Sequence, residues 1–188
     1  LTFNPLVAWL ITAALALPTA SFARDTDWVN TLTTSPVDPP GDGRAPNGEN
    51  ALVRRLAAQG MLVATGQLFD IQLLLKPQDP PSRAGAAAGA PPGDPRMRAA
   101  QRFAPTQVQV DQVVAYLKQN GFTRIDVDAS HFSVRAQGTA DNIARAFHVS
   151  IKTFTYQERR VFVNDRTVQV PAYLGALVGS VLGLQNLY

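Results

Sequence analysis

Three features of the sequence predict an α+β fold with an antiparallel sheet. Residues 132–136 alternate apolar and polar with period two, residues 139–147 follow the helical period, and period two returns from Ser150. Residues 106–121 carry a complete helix start, face and stop. The order of elements is strand, helix, strand, strand, helix, strand, which is that of a ferredoxin-like split β-α-β sandwich with both helices on one face of the sheet. Disordered N-terminal and internal linkers are expected around this unit.

Taken in order, residues 1–23 read as a secretory signal peptide. Residues 6–17 form a short apolar run broken only by Thr12, Pro18 ends it, and Ser21 and Ala23 are small residues at the cleavage positions. The alternative is a buried N-terminal helix; the run is too short to span a bilayer. Residues 24–48, rich in Pro, Gly, Asp and Thr, read as linker. Residues 51–58 suit a short helix with Leu52, Val53 and Leu56 on one side, stopped by Gly60. Residues 67–75 read as a first strand through Leu68, Ile71, Leu73 and Leu75. Residues 76–99 lose all periodicity and are expected to be disordered.

Thr106 and Gln109 form a capping box, each side chain accepting from the other's backbone N–H. Val110, Val113, Val114 and Leu117 are the buried stripe of that helix. Gly121 can take the left-handed conformation and Phe122 can fold back on Leu117. Ile125 and Val127 then share one strand face, and Phe132, Val134 and Ala136 return beside it after a tight link at Ala129 and Ser130. Thr139 caps the next helix, with Asp141 at the positive end of the dipole. Ala140, Ile143, Ala144 and Phe147 are its stripe. Residues 149–156 are expected to close the sheet, with Glu158 in a turn and residues 161–163 pairing back. Pro171 suits a first helical turn, so residues 171–184 are expected to form a C-terminal helix. Its Gly175, Gly179 and Gly183 repeat at four-residue spacing, which suits close packing on a neighbour; the stretch is too short to cross a membrane.

Composition narrows the function classes. The chain has 188 residues, 46% of them hydrophobic, with 17 basic and 14 acidic residues for a net charge of +3. Its basic doublets, Arg54-Arg55 and Arg159-Arg160, are isolated, so there is no clustered basic and aromatic face for nucleic acid. With Cys at 0 there is no disulfide, thiolate metal site or cysteine nucleophile.

Particular residues resemble a known family. Residues 102–106 (Arg-Phe-Ala-Pro-Thr), residues 113–122, Gly138-Thr139, residues 146–149, residues 170–174 and residues 181–184 are similar to the activation (pro-)domain of sedolisin- and kumamolisin-type serine-carboxyl peptidases. The positions carrying that resemblance are Phe103, Pro105, Leu117, Gly121, Gly138, Thr139, Phe147, Pro171, Gly183 and Leu184. It covers residues 102–187 strongly and residues 49–75 more loosely, giving a prodomain over residues 49–188. Between them the family's usual helix and Tyr-rich segment are replaced by the Ala/Gly/Pro run.

The resemblance implies a prodomain that helps its peptidase fold, inhibits it, and leaves by acid-triggered autoproteolysis. Its partner would be a sedolisin-type catalytic domain beginning after Tyr188. The family's calcium would belong to that domain, so no cofactor is expected here. Nor is catalysis: Ser130, Ser133, Ser150 and Ser180 lack the family's nucleophile setting, and Glu49 and Glu158 have no Asp at helical spacing. His131 and His148 are too few for a metal site and read as structural, with a minor role as pH sensors open to them. Trp28 and Tyr156 read as packing residues. Expected location is secreted or periplasmic, without membrane insertion after signal cleavage. The rival is a freestanding exported inhibitor or binding module. An RNA-binding domain would need paired aromatics on central strands, and a small hydrolase a cluster of catalytic residue types; neither is present.

Overall fold

The computed structural model describes residues 27–37, 48–78 and 102–187. Its first part holds β1 (Trp28–Asn30), α1 (Gly48–Gln59), β2 (Met61–Leu62) and β3 (Leu68–Leu75). Next come α2 (Gln107–Gln119), β4 (Thr123–Val127), β5 (Ser133–Thr139) and α3 (Ala140–Phe147). The chain then forms β6 (Ile151–Tyr156), β7 (Arg159–Asn164), β8 (Gln169–Pro171), a single turn α4 (Ala172–Gly175) and β9 (Val178–Leu182).

The main sheet runs β4-β5-β3-β9 with every neighbouring pair antiparallel. Directly opposed residues share a face. Val127, Val134, Leu73 and Val181 therefore form one row, and Ala136 and Ile71 another, on the side that is buried. Val110, Val113 and Leu117 of α2, with Ile143 and Phe147 of α3, are fully buried in the same core. One covered face and one open face is the ferredoxin-like arrangement expected. Two smaller sheets accompany it among the described residues: β2-β6-β7, and the pair β1-β8. Val53 of α1 packs with Tyr156 and Val161 in a second, smaller cluster.

Local grammar holds at both helices. Thr106 caps α2 through Gln109, and the helix ends with Phe122 N–H donating to Leu117 O (3.1 Å) and Gly121 N–H to Lys118 O (3.0 Å). Gly121 has φ +82°, the left-handed conformation that closes such a stop. Thr139 caps α3 reciprocally with Asn142. Asn142 Nδ2 also donates to Asn120 O (2.8 Å), joining the start of α3 to the end of α2.

Several expectations are corrected. The sheet's fourth strand is β9, not residues 149–156. Gln157 and Glu158 both have positive φ (48° and 61°), so a two-residue turn folds β6 back on β7 as a local hairpin. Nor do residues 171–184 form a helix. After one turn the chain is extended, because three glycines and two β-branched valines weaken the helix while the bare edge of β3 offers a backbone partner. Lys76 reinforces this, its N–H donating to Leu177 O (2.7 Å) and its Nζ to Gly175 O (2.7 Å).

Residues 24–48 are not simply linker. Residues 28–35 form β1 and an extended segment whose Thr31, Thr33 and Ser35 are buried. The folded unit accordingly begins before residue 49. Lys76 and Gln78 lie within the expected disordered stretch but are tied down, Gln78 N–H donating to Phe103 O (2.8 Å). Leu68 is exposed and Phe69 takes the inward place, while on α1 Leu52 faces out and Ala57 in. The expectations for residues 1–23 and 79–99 lie outside the described residues.

Candidate functional site

The residue types of a nucleophilic triad stand close in sequence at Asp128, Ser130 and His131, and their geometry makes a turn. The Ser130 hydroxyl and N–H (2.9 Å) both donate to the Asp128 carboxylate. Those two bonds hold the exposed Asp128 below the ordinary aspartate range. The imidazole is engaged elsewhere, His131 Nδ1 lying 3.0 Å from Pro105 O. The Ser130 hydroxyl thus meets only the Asp128 carboxylate, whose lowered pKa makes it a weak base, and no imidazole stands beside it to act as in a nucleophilic triad.

His148 occupies a different corner. It caps α3 in the left-handed conformation (φ 52°), its N–H donating to Ala144 O (3.1 Å), and its ring stacks on Trp28 at 3.5 Å between centroids. Among the described residues no group of three metal-ligating side chains comes together. Tyr116 spends its hydroxyl on Ala146 O (2.5 Å); burial, and secondarily Tyr173, push its pKa well up.

The ten family-motif positions hold the sheet and its helices. Phe103 is half exposed and its carbonyl fixes Gln78, while Pro105 is buried and its carbonyl holds His131. Leu117, Phe147 and Leu184 are fully buried. Gly121 and Thr139 serve α2 and α3 as above, and Pro171 pairs with Trp28. Gly138 lies under Phe122: an added Cβ would sit 2.5 Å from its ring. Gly183 has φ +89° and crosses β3 so closely that a Cβ would lie 2.2 Å from Asp70 O. None of the ten forms a chemical site.

The remaining candidate surface is the open face of the main sheet. The same register that buries Leu73 and Val134 turns the residues between them outward. Asp126, Arg135, Gln72 and Leu182 form one outward row, Thr123, Gln137 and Asp70 a second, and Ser133, Leu74 and Ser180 a third. Gln137 Nε2 donates to the Asp70 carboxylate (3.0 Å). Leu182 is 46% and Leu74 36% exposed. A shallow depression of about 370 Å³ crosses this face beside Arg124, Arg135 and Gly183. Two exposed leucines among carboxylates, guanidinium groups and amides, set out on paired strands, suit another protein surface better than a small molecule. Sequence reasoning identified the strands but missed this face, because it read the inward residues and left their partners unassigned. The outward alternation of Asp70 and Gln72 with Leu74 was the available signal.

Comparison with known proteins gives a consistent answer. Residues 96–187 match the family model described as Pro-kumamolisin, activation domain. The chain is similar to xanthomonalisin of Xanthomonas sp. (strain T-22), at 34% identity over 95% of its own length, and to sedolisin of Pseudomonas sp. (strain 101), at 33% over 92%. It spans 24% of the first relative and 30% of the second.

Proposed function

Residues 96–187 belong to the pro-kumamolisin activation domains, and from that premise we propose that the chain acts as the propeptide of an exported sedolisin-type serine peptidase. In this role it supports folding of the catalytic domain and blocks it until autoproteolysis in acid removes the block. Catalysis belongs to the peptidase's own Ser, Glu and Asp. The signal-like residues 1–23 suit export of such a precursor. No helix among the described residues is long and apolar enough to cross a membrane.

The observation that carries the reading is the open sheet face. One side of the sheet has its own two helices, and the other presents Leu74, Leu182, Asp70, Asp126 and Arg135 on paired strands. A catalytic domain laid against it would bury the leucines, and its cations would meet Asp70 and Asp126. A carboxylate–cation pair across an interface holds only while the carboxylate is charged, so a complex built on such pairs loses its grip in acid. That is the sign required for release in acid.

Titrating the full chain against a purified sedolisin-type peptidase, at neutral and acidic pH, tests this. Inhibition at neutral pH that weakens in acid is expected. A folded chain that inhibits at neither pH contradicts the propeptide role, and one that inhibits equally at both contradicts the carboxylate release.

A further inference from the structure

An irregularity of the main sheet sets one guanidinium group on its open face. Between Thr123 and Asp126, β4 takes three steps while β5 takes two, from Gln137 to Arg135. Arg124 and Ile125 therefore oppose Ala136 together, as in a β-bulge. Ile125 keeps the inward place, packed against the core. Arg124 is the extra residue, and its φ of +48° is left-handed, a conformation that glycine takes freely and that a side chain disfavours. The other described non-glycine residues with positive φ, His131, His148, Gln157 and Glu158, end a helix or make turns; Arg124 lies inside a strand. A bulge re-aims the side chain it carries, and Arg124 lines the depression on the open face together with Arg135.

The charges in that depression are unbalanced. Its lining holds two guanidinium groups and one carboxylate, Asp70, which already accepts from Gln137 Nε2 (3.0 Å). Asp126, opposite Arg135 in the register, lies outside the lining, and Asp128 is engaged by Ser130. The ion pairs among the described residues are Arg145–Asp141 and Arg166–Asp165, so among those residues neither arginine of the depression has an ion-pair partner. Leu182 forms an apolar wall. A guanidinium presents a planar fork of donors that matches a carboxylate. In the open depression, such a pair with a free anion is weakened by water and salt. The same pair is stronger when a protein surface covers Leu74 and Leu182 and excludes that water.

We propose that Arg124 and Arg135 form a carboxylate-binding site, which receives an aspartate or glutamate side chain of the protein docked on the open face. The left-handed backbone of Arg124 is retained because it delivers the guanidinium to that site. This inference rests on the propeptide reading and adds to it the chemistry that the partner presents at this point.

Inhibition of a purified sedolisin-type peptidase at neutral pH, by full chains each shown to be folded, tests it. Arg124→Gln and Arg135→Gln are each expected to weaken inhibition about tenfold or more, as truncating one member of a covered charge pair does. Arg159→Gln, an exposed arginine outside the main sheet, is expected to inhibit like the unmodified chain. Arg124→Gly separates binding from folding: it is expected to keep or raise the urea midpoint, since glycine suits the left-handed backbone, and to inhibit as weakly as Arg124→Gln. Full inhibition by the Arg124 and Arg135 variants, beside an unmodified chain that inhibits, overturns the site and leaves the propeptide reading standing. An Arg124→Gly chain that loses stability and still inhibits fully shows that the arginine serves the fold, and likewise overturns the site. An unmodified chain that does not inhibit overturns the propeptide reading, and this site's occupant with it.

Discussion

Gly138→Ala puts a close contact of the core to the test. Gly138 lies in β5 opposite Phe69, and an added Cβ would sit 2.5 Å from two ring carbons of Phe122. That distance is far inside van der Waals contact, so the ring must move. Phe122 is 4% exposed and meets Phe147 edge-on at 5.9 Å, and Phe147 is itself fully buried. The added methyl is therefore an overpacking change, costing about 2 kcal/mol. Phe122→Leu, which removes the clashing ring and the aromatic pair together, should cost about 1–1.5 kcal/mol alone. If the clash is the cause, the double variant recovers part of the loss, with a coupling of about 1 kcal/mol or more. Urea unfolding of the four chains, followed by circular dichroism, measures all the terms. Additive losses, or a neutral Gly138→Ala, would refute the reasoning and mean that the glycine serves the backbone rather than the ring.

Other outcomes follow from the same packing and capping. Phe147→Ala, which empties the centre of the core, should lose about 3–5 kcal/mol in the same assay, while Phe103→Ala at a half-exposed position should lose far less. Thr139→Ala removes the cap of α3 and should cost about 1 kcal/mol; a loss beyond 3 kcal/mol would point to collapse of the junction with Asn120. Asp128 should titrate below the ordinary aspartate range by NMR, because Ser130 donates to it twice, and Ser130→Ala should move its midpoint upward. The lowered pKa means that this turn helps the fold above the ordinary aspartate range and stops helping as pH falls through the Asp128 midpoint. An unmoved midpoint in Ser130→Ala would remove that basis.

Where local chemistry decides the structure, the sequence reveals it. The capping box at Thr106 and Gln109, the stop at Gly121 and Phe122, and the cap at Thr139 all depend on neighbours within a few positions, and each stands as read. Phe147 is at the core's centre because the helical stripe has only one side that can face a sheet. Long-range competition was hidden. The valines and glycines of residues 175–183 satisfy a helical spacing, though as weak helix formers; the edge of β3, far away in the chain, draws them into a strand. Thr33 looks like a loop residue until Val181 is beside it. The turn at Glu158 and the pairing of residues 161–163 back on residues 151–156 were legible; that this hairpin stands outside the main sheet was not. The open face was hidden for a different reason: its residues are ordinary surface polar groups, and only the strand register sets them in rows with Leu74 and Leu182.

The measurement that bears most directly on the account is inhibition of a sedolisin-type peptidase at neutral pH by three chains: the unmodified one, Leu182→Glu on the open face, and Arg55→Glu on the exposed side of α1. Docking through the open face predicts that Leu182→Glu weakens inhibition by a factor of ten or more, since it places a charge where an apolar contact is buried, while Arg55→Glu inhibits like the unmodified chain. Equal inhibition by all three chains, each shown to be folded, would contradict docking through this face.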